Sequence, residues 1–386
     1  MKAKVVIGSA YGDEGKGVFT DYLSSQLKDS SVIRFNGGAQ AGHTVLTPNG
    51  KRHVFGHFAA NSFLPNAKTI LSQFFVVNPL LFFKEKMTLN NMDINPEVFI
   101  HENAYITTPF EMIINQWLEN SRGDSRHGSC GVGFGETIQR EEIDNIQLRI
   151  KNLNNVSNII QKIKERFINR VKELNLESFL NNNQFVLEDS FVNRFIVDCE
   201  NFGNAIKIYR KLPAYDNLVF EGAQGLLLDQ TFGVFPHVTR SNTGLKNVIT
   251  IAEENNISQL DVVYATRCYT TRHGAGPLKN SLDEKPYVKI EDKTNIPNEY
   301  QGNLRFAYLD LNVLENTINQ DLNSINTNID INYKLGVSCL DQTEIVKFWE
   351  NNQLKTIKNN ELTQYFKEKY NKDIIGSWKG SRDYIC

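Results

Sequence analysis

Residues 8–17 read Gly-Ser-Ala-Tyr-Gly-Asp-Glu-Gly-Lys-Gly. They lie between a short apolar run, Ala3 to Ile7, and a segment whose Phe19, Tyr22, Leu23 and Leu27 recur at helical spacing. An apolar run closed by glycine suits a strand buried on both faces of a parallel sheet. Strand, glycine-rich loop and helix together make an anion cradle, because successive backbone N–H groups and the helix N-terminus point at one place. Lys16 adds a full positive charge there. The loop departs from a standard P-loop: the spacing from Gly8 to Gly15-Lys16 is longer, and Gly17 stands where Ser or Thr would hold magnesium. A carboxylate inside such a loop repels phosphate unless a metal or a proton transfer requires it, which singles out Asp13.

The same arrangement recurs along the chain. A strand expected at Val32 to Phe35 runs into Asn36-Gly37-Gly38-Ala39-Gln40-Ala41-Gly42-His43-Thr44. His43 falls on the side where α/β sheets bind ligands, so a catalytic or phosphate-contacting role is favoured over a core histidine. Strands expected at Asn217 to Phe220 and Leu260 to Thr266 lead into further glycine-bearing loops, Glu221 to Gly225 and Tyr269 to Pro277. Gly128 to Gly135 adds hydroxyl and backbone donors suited to a second phosphate. Ile331 to Val337 reads as another strand, with helices expected near 342–350 and 361–370. Between about 140 and 215, Ile159, Ile160, Ile163 and Phe167 mark helices separated by Asn-rich breaks. The expected fold is α/β: a P-loop-like, mainly parallel central sheet flanked by helices, in a single domain over 1–386 with a helical insertion or cap at about 140–215.

Forty-two Lys+Arg against 44 Asp+Glu leave a net charge of −2, so no overall field draws the chain to nucleic acid or a membrane. An anionic ligand must be held by local groups. The five cysteines are scattered without a C-x-x-C pair, which argues against a disulfide framework or a zinc site and for a reducing compartment. No apolar stretch approaches the ~20 residues that span a bilayer, and the N-terminus reads as a strand rather than a signal peptide. The expected location is cytoplasmic.

GDEGKG, GGAQAGHT, FEGAQG with LLD and PHVTRSNT, and YTTRHGAGP together resemble the signatures of adenylosuccinate synthetases, in that family's order over residues 1–280. The resemblance implies a ligase that phosphorylates the 6-oxygen of IMP from GTP and then lets L-aspartate displace the phosphate. It implies that Asp13 takes the N1 proton and binds Mg2+, with the Gly42 carbonyl completing the metal shell, and that His43 donates to the transferred phosphoryl group. Gly12, Glu14, Gly15, Lys16, Gly17, Gly42 and Thr44 would hold the triphosphate, with Asp341, Lys379 and Gly380 on its base. Gln40, Ser129, Cys130, Gln224 and Thr239, together with Asp13, would hold the purine mononucleotide, and Arg305 and Asn303 the aspartate. The family acts as a homodimer in which an arginine reaches the partner's mononucleotide phosphate; Arg140 and Arg149 are both candidates.

Several positions depart from the family pattern. Gln40 replaces an Asn, Val18 a Lys, and GSCGVG stands where the mononucleotide loop reads close to GTTGRG. The aspartate loop is reduced to Asn298-Glu299-Tyr300-Gln301-Gly302-Asn303-Leu304-Arg305, and the guanine-reading Thr-Lys-Leu-Asp is Ser338-Cys339-Leu340-Asp341. The runner-up is therefore the phage branch of the family, which joins aspartate to dGMP using ATP. Asp13 leans toward IMP, and Cys339 toward ATP. A kinase without ligation and a non-catalytic nucleotide-binding homologue are the alternatives from other classes.

Overall fold

The computed structural model describes residues 1–213, 217–292, 294 and 303–385. Among them, nine strands form one sheet in which every neighbouring pair is parallel. In spatial order the strands are Ile374–Gly376, Asp330–Ser338, Gln259–Arg267, Lys2–Gly8, Leu218–Gly225, Ser31–Arg34, Lys68–Leu71, Glu97–His101 and Lys207–Tyr209. The central strands are buried on both faces, as their unbroken apolar runs require: Val5, Val6, Ile7, Val219, Phe220, Val262 and Val263 are all inaccessible.

The order places a switch point at Lys2–Gly8. Later segments build outward on one side as far as Lys207–Tyr209, and the chain then returns to Leu218–Gly225, next to the first strand, before building the other side. In open α/β sheets the crevice outside the carboxyl ends of the strands at such a point is where ligands bind. The glycine-rich loops after Gly8, Arg34 and Arg267 open there, and so does the end of Leu218–Gly225, where the loop expected at Glu221 to Gly225 is instead a continuation of the strand.

The expected strands at 3–7, 32–35, 217–220, 260–266 and 331–337 are present within a few residues of their expected ends, and the helix expected at 361–370 spans Asn359–Tyr370. The helix expected near 342–350 is not. Ile345–Glu350 is a strand paired antiparallel with Gln353–Lys358, and Asn351 and Asn352 turn the hairpin with φ of 50° and 61°. The reason is the period: Val346, Phe348 and Glu350 are buried and alternate with more exposed residues, whereas a helix would need spacing of three to four. This hairpin joins Tyr269–Arg272 and Arg305–Asp310 in a second, mixed sheet.

In the stretch read as helical, Val156–Glu173 and Asp189–Asn204 bury Ile160, Ile163, Phe167, Val192, Phe195 and Phe202 in a core shared with Phe58, Phe75 and Phe82. Its end differs from the expectation, because Lys207–Tyr209 forms the outermost strand of the main sheet. Three residues are too few to show alternation. No described helix is long and apolar enough to cross a membrane. Cys130, Cys199, Cys268 and Cys339 are not in disulfides.

Arg140 is fully committed within its own chain. Its fully buried guanidinium reaches Glu111 at 3.0 Å, Glu141 at 2.7 Å and the carbonyls of Ile106 and Ile146. It therefore cannot be the arginine that reaches across a dimer. Arg149 stays partly exposed, bound to Glu141 and lying over the Tyr105 ring. Removing one partner of a buried ion cluster leaves an uncompensated charge. Arg140→Leu is expected to cost about 3–5 kcal/mol in urea unfolding; a loss below about 1 kcal/mol would show that the cluster does not behave as a buried one.

Candidate functional site

The phosphate-loop cradle forms as the sequence suggests, and in this structure it grips an anion of its own. The backbone N–H groups of Ala10 and Gly12 donate to Glu14 Oε1 at 3.0 and 2.7 Å. Lys16 Nζ lies 2.9 Å from Glu14 Oε2 and 2.7 Å from the Gly12 carbonyl, with both side chains buried. Two converging amides and an ammonium around a carboxylate are the donor set a phosphate would use. Gly17 has a steric explanation: a Cβ there would sit 2.8 Å from the Thr44 carbonyl and 3.1 Å from the His43 Cβ. The helix Lys16–Ser25 can approach the His43 strand only because no side chain intervenes.

His43 opens a hairpin strand, His43–Leu46, rather than closing the preceding one. Its Nδ1 lies 2.6 Å from Glu221 Oε1, and the second Glu221 oxygen accepts from the Ala60 amide at 3.2 Å. The Arg34 guanidinium, buried over the Phe75 ring and donating to the Gly56 and Phe58 carbonyls, is 3.7 Å from that same oxygen. Burial pushes His43 down to about 4, outweighing the upward pull of Glu221; Arg34 adds to the depression. Burial works to raise Glu221, but His43 and Arg34 hold it below the usual carboxylate range. The stable state is thus ionised Glu221, compensated by Arg34, taking Nδ1–H from a neutral imidazole. That fixes the tautomer and leaves Nε2 for another partner.

Asp13 sits beyond the cradle. Its carbonyl accepts from Arg267 Nε, and its Oδ2 is buried without a hydrogen-bond partner, 3.6 Å from His273 Nε2. Burial raises its pKa, opposed by Arg267 and then His273, so it accepts a proton more readily than a solvated aspartate. Gln224, at a left-handed φ of 63°, packs its amide oxygen against Gly12, and both amide atoms of Gln40 are buried without partners. A non-glycine residue in that region is strained and needs its surroundings to hold it. Asp13, Gln40 with His43, and Gln224 thus come from three segments of the chain to one crevice.

The loop 128–133 joins them through its neighbours. Ser129 donates to Asn115, Ala275 N–H donates to the His127 carbonyl, and the 273–276 loop reaches Asp13 through His273. Cys130 lies in the same turn. Thr239 is held by its own N–H on the Leu228 carbonyl. On the far side, Cys339, at φ 64°, turns the chain into Leu340–Gln342, and Leu340 N–H donates to the Ser377 carbonyl, so Asp341 and the Lys379-Gly380 turn are neighbours. Arg305 spends one end of its guanidinium on the Gly274 and Gly276 carbonyls and pairs in register with Arg272. Asn303 is exposed. Asn298 to Gly302 lie outside the described residues.

A family model for adenylosuccinate synthetase matches residues 5–361. The chain belongs to the adenylosuccinate synthetase family. It is 31% identical over 289 residues to the adenylosuccinate synthetase of Microcystis aeruginosa and 32% identical over 293 residues to that of Tropheryma whipplei, covering 73% and 74% of this chain. The matches span 63% and 66% of those two relatives. A fully ligated adenylosuccinate synthetase from Plasmodium falciparum shares the fold with a TM-score of 0.69 at 20% identity, covering 99% of this chain and 98% of that one. A cyanophage S-2L succinoaminodeoxyadenylate synthetase bound to dGMP and dATP shares it with a TM-score of 0.60 at 13% identity, covering 100% and 95%.

For this synthetase-family chain, reading motifs left Glu221, Arg34, Arg267 and His273 without roles. Glu221 had a signal: a carboxylate inside a buried apolar strand needs a partner. Arg34 had the same one.

The depressed His43 pKa carries a stability sign. The unfolded chain takes up a proton near 6.5, while the folded protein refuses it until about 4, so this contribution is full above 6.5 and fades as pH falls toward 4. It amounts to about 3 kcal/mol. Between pH 7 and 4.5 wild type is expected to lose more unfolding free energy than His43→Gln in urea titrations. Equal losses would mean that His43 is protonated in the fold.

Proposed function

We propose that this protein is a carbon–nitrogen ligase that makes adenylosuccinate from IMP, L-aspartate and GTP, releasing GDP and phosphate. What carries the reading is one juxtaposition: a base of raised pKa, Asp13, beside an amide-and-lysine cradle that already grips a carboxylate, with the Glu221-anchored His43 against the same helix end.

In this mechanism Asp13 takes the proton from N1 of the purine, and electron density moves to O6. O6 attacks the γ-phosphorus while the bond to the β–γ bridging oxygen breaks and GDP leaves. Once the anionic phosphates raise its proton affinity, His43 takes a proton at Nε2 from solvent and, as the imidazolium, donates Nε2–H to the transferring group while its Nδ1–H stays on Glu221. The amine of aspartate then attacks C6, the C6–O6 bond breaks, and phosphate departs as the amine gives up a proton. Positioning and electrostatics supply most of the catalysis in phosphoryl transfer, so a base, a cationic donor and a cradle suffice. Lys16 would release Glu14 and turn to the triphosphate. The residues fit Mg2+: the buried, unpartnered Asp13 Oδ2 is a hard oxygen ligand, and this ion characteristically takes one or two carboxylates with phosphates and water. When bound it would neutralise charge on the phosphates, held by Asp13 and the Gly42 carbonyl. Gln40, Ser129, Cys130, Gln224 and Thr239 would hold IMP, Arg305 and Asn303 the aspartate. We further read the chain as one domain acting as a cytoplasmic homodimer, with the partly exposed Arg149 rather than Arg140 as the residue that would reach a partner.

A second reading is favoured by one feature: Cys339 stands where the family's guanine-flanking lysine would be, and the cyanophage protein of the same fold was bound to dGMP and dATP. That reading joins aspartate to dGMP with ATP.

Phosphate release with magnesium and aspartate, across IMP, GMP, dGMP and dAMP against GTP and ATP, separates the two, with mass detection of the succinylated product. Aspartate-dependent turnover with IMP and GTP is the expected result; turnover confined to GMP or dGMP transfers the conclusion to the second reading. Nucleotide binding with no turnover in any combination sinks both. In the active combination, Asp13→Asn is expected to lower kcat about 10²–10⁴-fold, with triphosphate affinity changed far less.

A further inference from the structure

The mechanism above gives no task to Arg267, Tyr269 or Gln342, yet they form a continuous, directed chain of hydrogen bonds from the base candidate to the far turn. Arg267 ends the strand Gln259–Arg267 and stands opposite Ser338 in the parallel register. Its side chain is 11% exposed. Nε donates to the Asp13 carbonyl, Nη2 meets Asp292 at 3.2 Å, and Nη1 donates to the Tyr269 hydroxyl at 3.0 Å. The neighbouring Ser338 hydroxyl donates to the Glu14 carbonyl at 3.0 Å. Two successive carbonyls of the phosphate loop are therefore pinned by the ends of two adjacent strands.

The direction of the chain follows from chemistry alone. A guanidinium only donates, so the Tyr269 oxygen must accept from Arg267 and turn its own hydrogen elsewhere. That hydrogen goes to Gln342 Oε1, 2.6 Å away. The Tyr269 ring is buried and packed among Tyr287 and Phe306, which denies it another orientation. The Gln342 carboxamide is thereby fixed with its oxygen toward Tyr269 and its NH₂ directed away. Gln342 is half-buried in the turn that also carries the exposed Asp341. Asp341, a carboxylate that only accepts, and Gln342, an amide whose NH₂ end faces away from Tyr269, are consecutive in that turn.

We propose that Arg267 and Tyr269 are positioning residues that aim Gln342 as a donor beside Asp341, making Gln342 a specificity-determining residue for the base of the triphosphate. The inference rests on the reading of the 339–342 turn as the base side of the site. The pair complements the Watson–Crick edge of guanine: the carboxylate accepts from N1–H and the 2-amino group, and the amide donates to O6. Adenine lacks a donor at ring N1 and an acceptor at position 6, so it cannot satisfy both groups in that arrangement. Because the same arginine holds the Asp13 carbonyl, base recognition and placement of the base candidate share one anchor.

The test is calorimetric binding of GDP and ADP, with magnesium, to wild type, Tyr269→Phe and Gln342→Leu, with melting temperatures confirming the fold. Removing the hydroxyl frees the amide to flip while Arg267 stays on Asp13 and Asp292. The expected result is a GDP-over-ADP preference in wild type that falls about three- to tenfold in both variants, with the change mainly in GDP affinity. In turnover, Tyr269→Phe is expected to raise the KM for GTP while leaving kcat close to wild type, a split that general loosening of the fold would not produce. A wild-type protein that binds both diphosphates alike, or a Tyr269→Phe variant that keeps the wild-type ratio, overturns the proposal. Binding selectivity without turnover would leave this inference standing and overturn only the ligase reading.

Discussion

The reversal of strand order beside Lys2–Gly8 places four segments from distant parts of the chain over one crevice, and each polar arrangement described above depends on it. In a parallel sheet the carboxyl ends of all strands lie on one side, so every strand-to-helix connection delivers backbone N–H groups to the same edge. The glycines at positions 12 and 17 let those connections close in to contact distance with Gln224 and with the His43 strand. Asp13, His43, Glu221 and Arg267 become neighbours although they are up to about 250 residues apart in sequence.

Bringing them together puts charge where water is scarce, and the site is organised around compensating it. Arg34, Glu221 and His43 form one group in which a single cation and a single anion balance and the imidazole stays neutral. Lys16 and Glu14 form a second, and Arg267 with Asp292 a third. Unpaired charges of this burial would be strongly unfavourable. Asp13 is the exception: its Oδ2 has no hydrogen bond, and His273 Nε2 stands 3.6 Å away.

The sequence made much of this legible because short motifs need only local chemistry. Strand 2–8, its loop and the helix after it follow from an apolar run and glycine spacing. The strand at 345–350 reads as helix because EIVKFWE mixes apolar residues densely enough to suit either period, and the two asparagines with positive φ that decide it are recognisable only as a turn between two strands. The site was half legible. Asp13, Lys16 and His43 lie in motifs, whereas His273 and Arg267 gain meaning only by touching Asp13. Arg140 looked available for a partner chain until packing showed it encased by Glu111 and Glu141.

By itself, then, the sequence determined the α/β class, the phosphate loop, the family resemblance and the residues suited to proton transfer. These depend on side-chain chemistry and on periodicity within a dozen residues. Tertiary structure alone decided which segment faces which, that His43 is neutral because burial disfavours its charged form while Arg34 already balances Glu221, and that Tyr269 turns its hydroxyl to Gln342. Those properties depend on dehydration and on distances between segments far apart in the chain, and neither exists until the sheet has assembled.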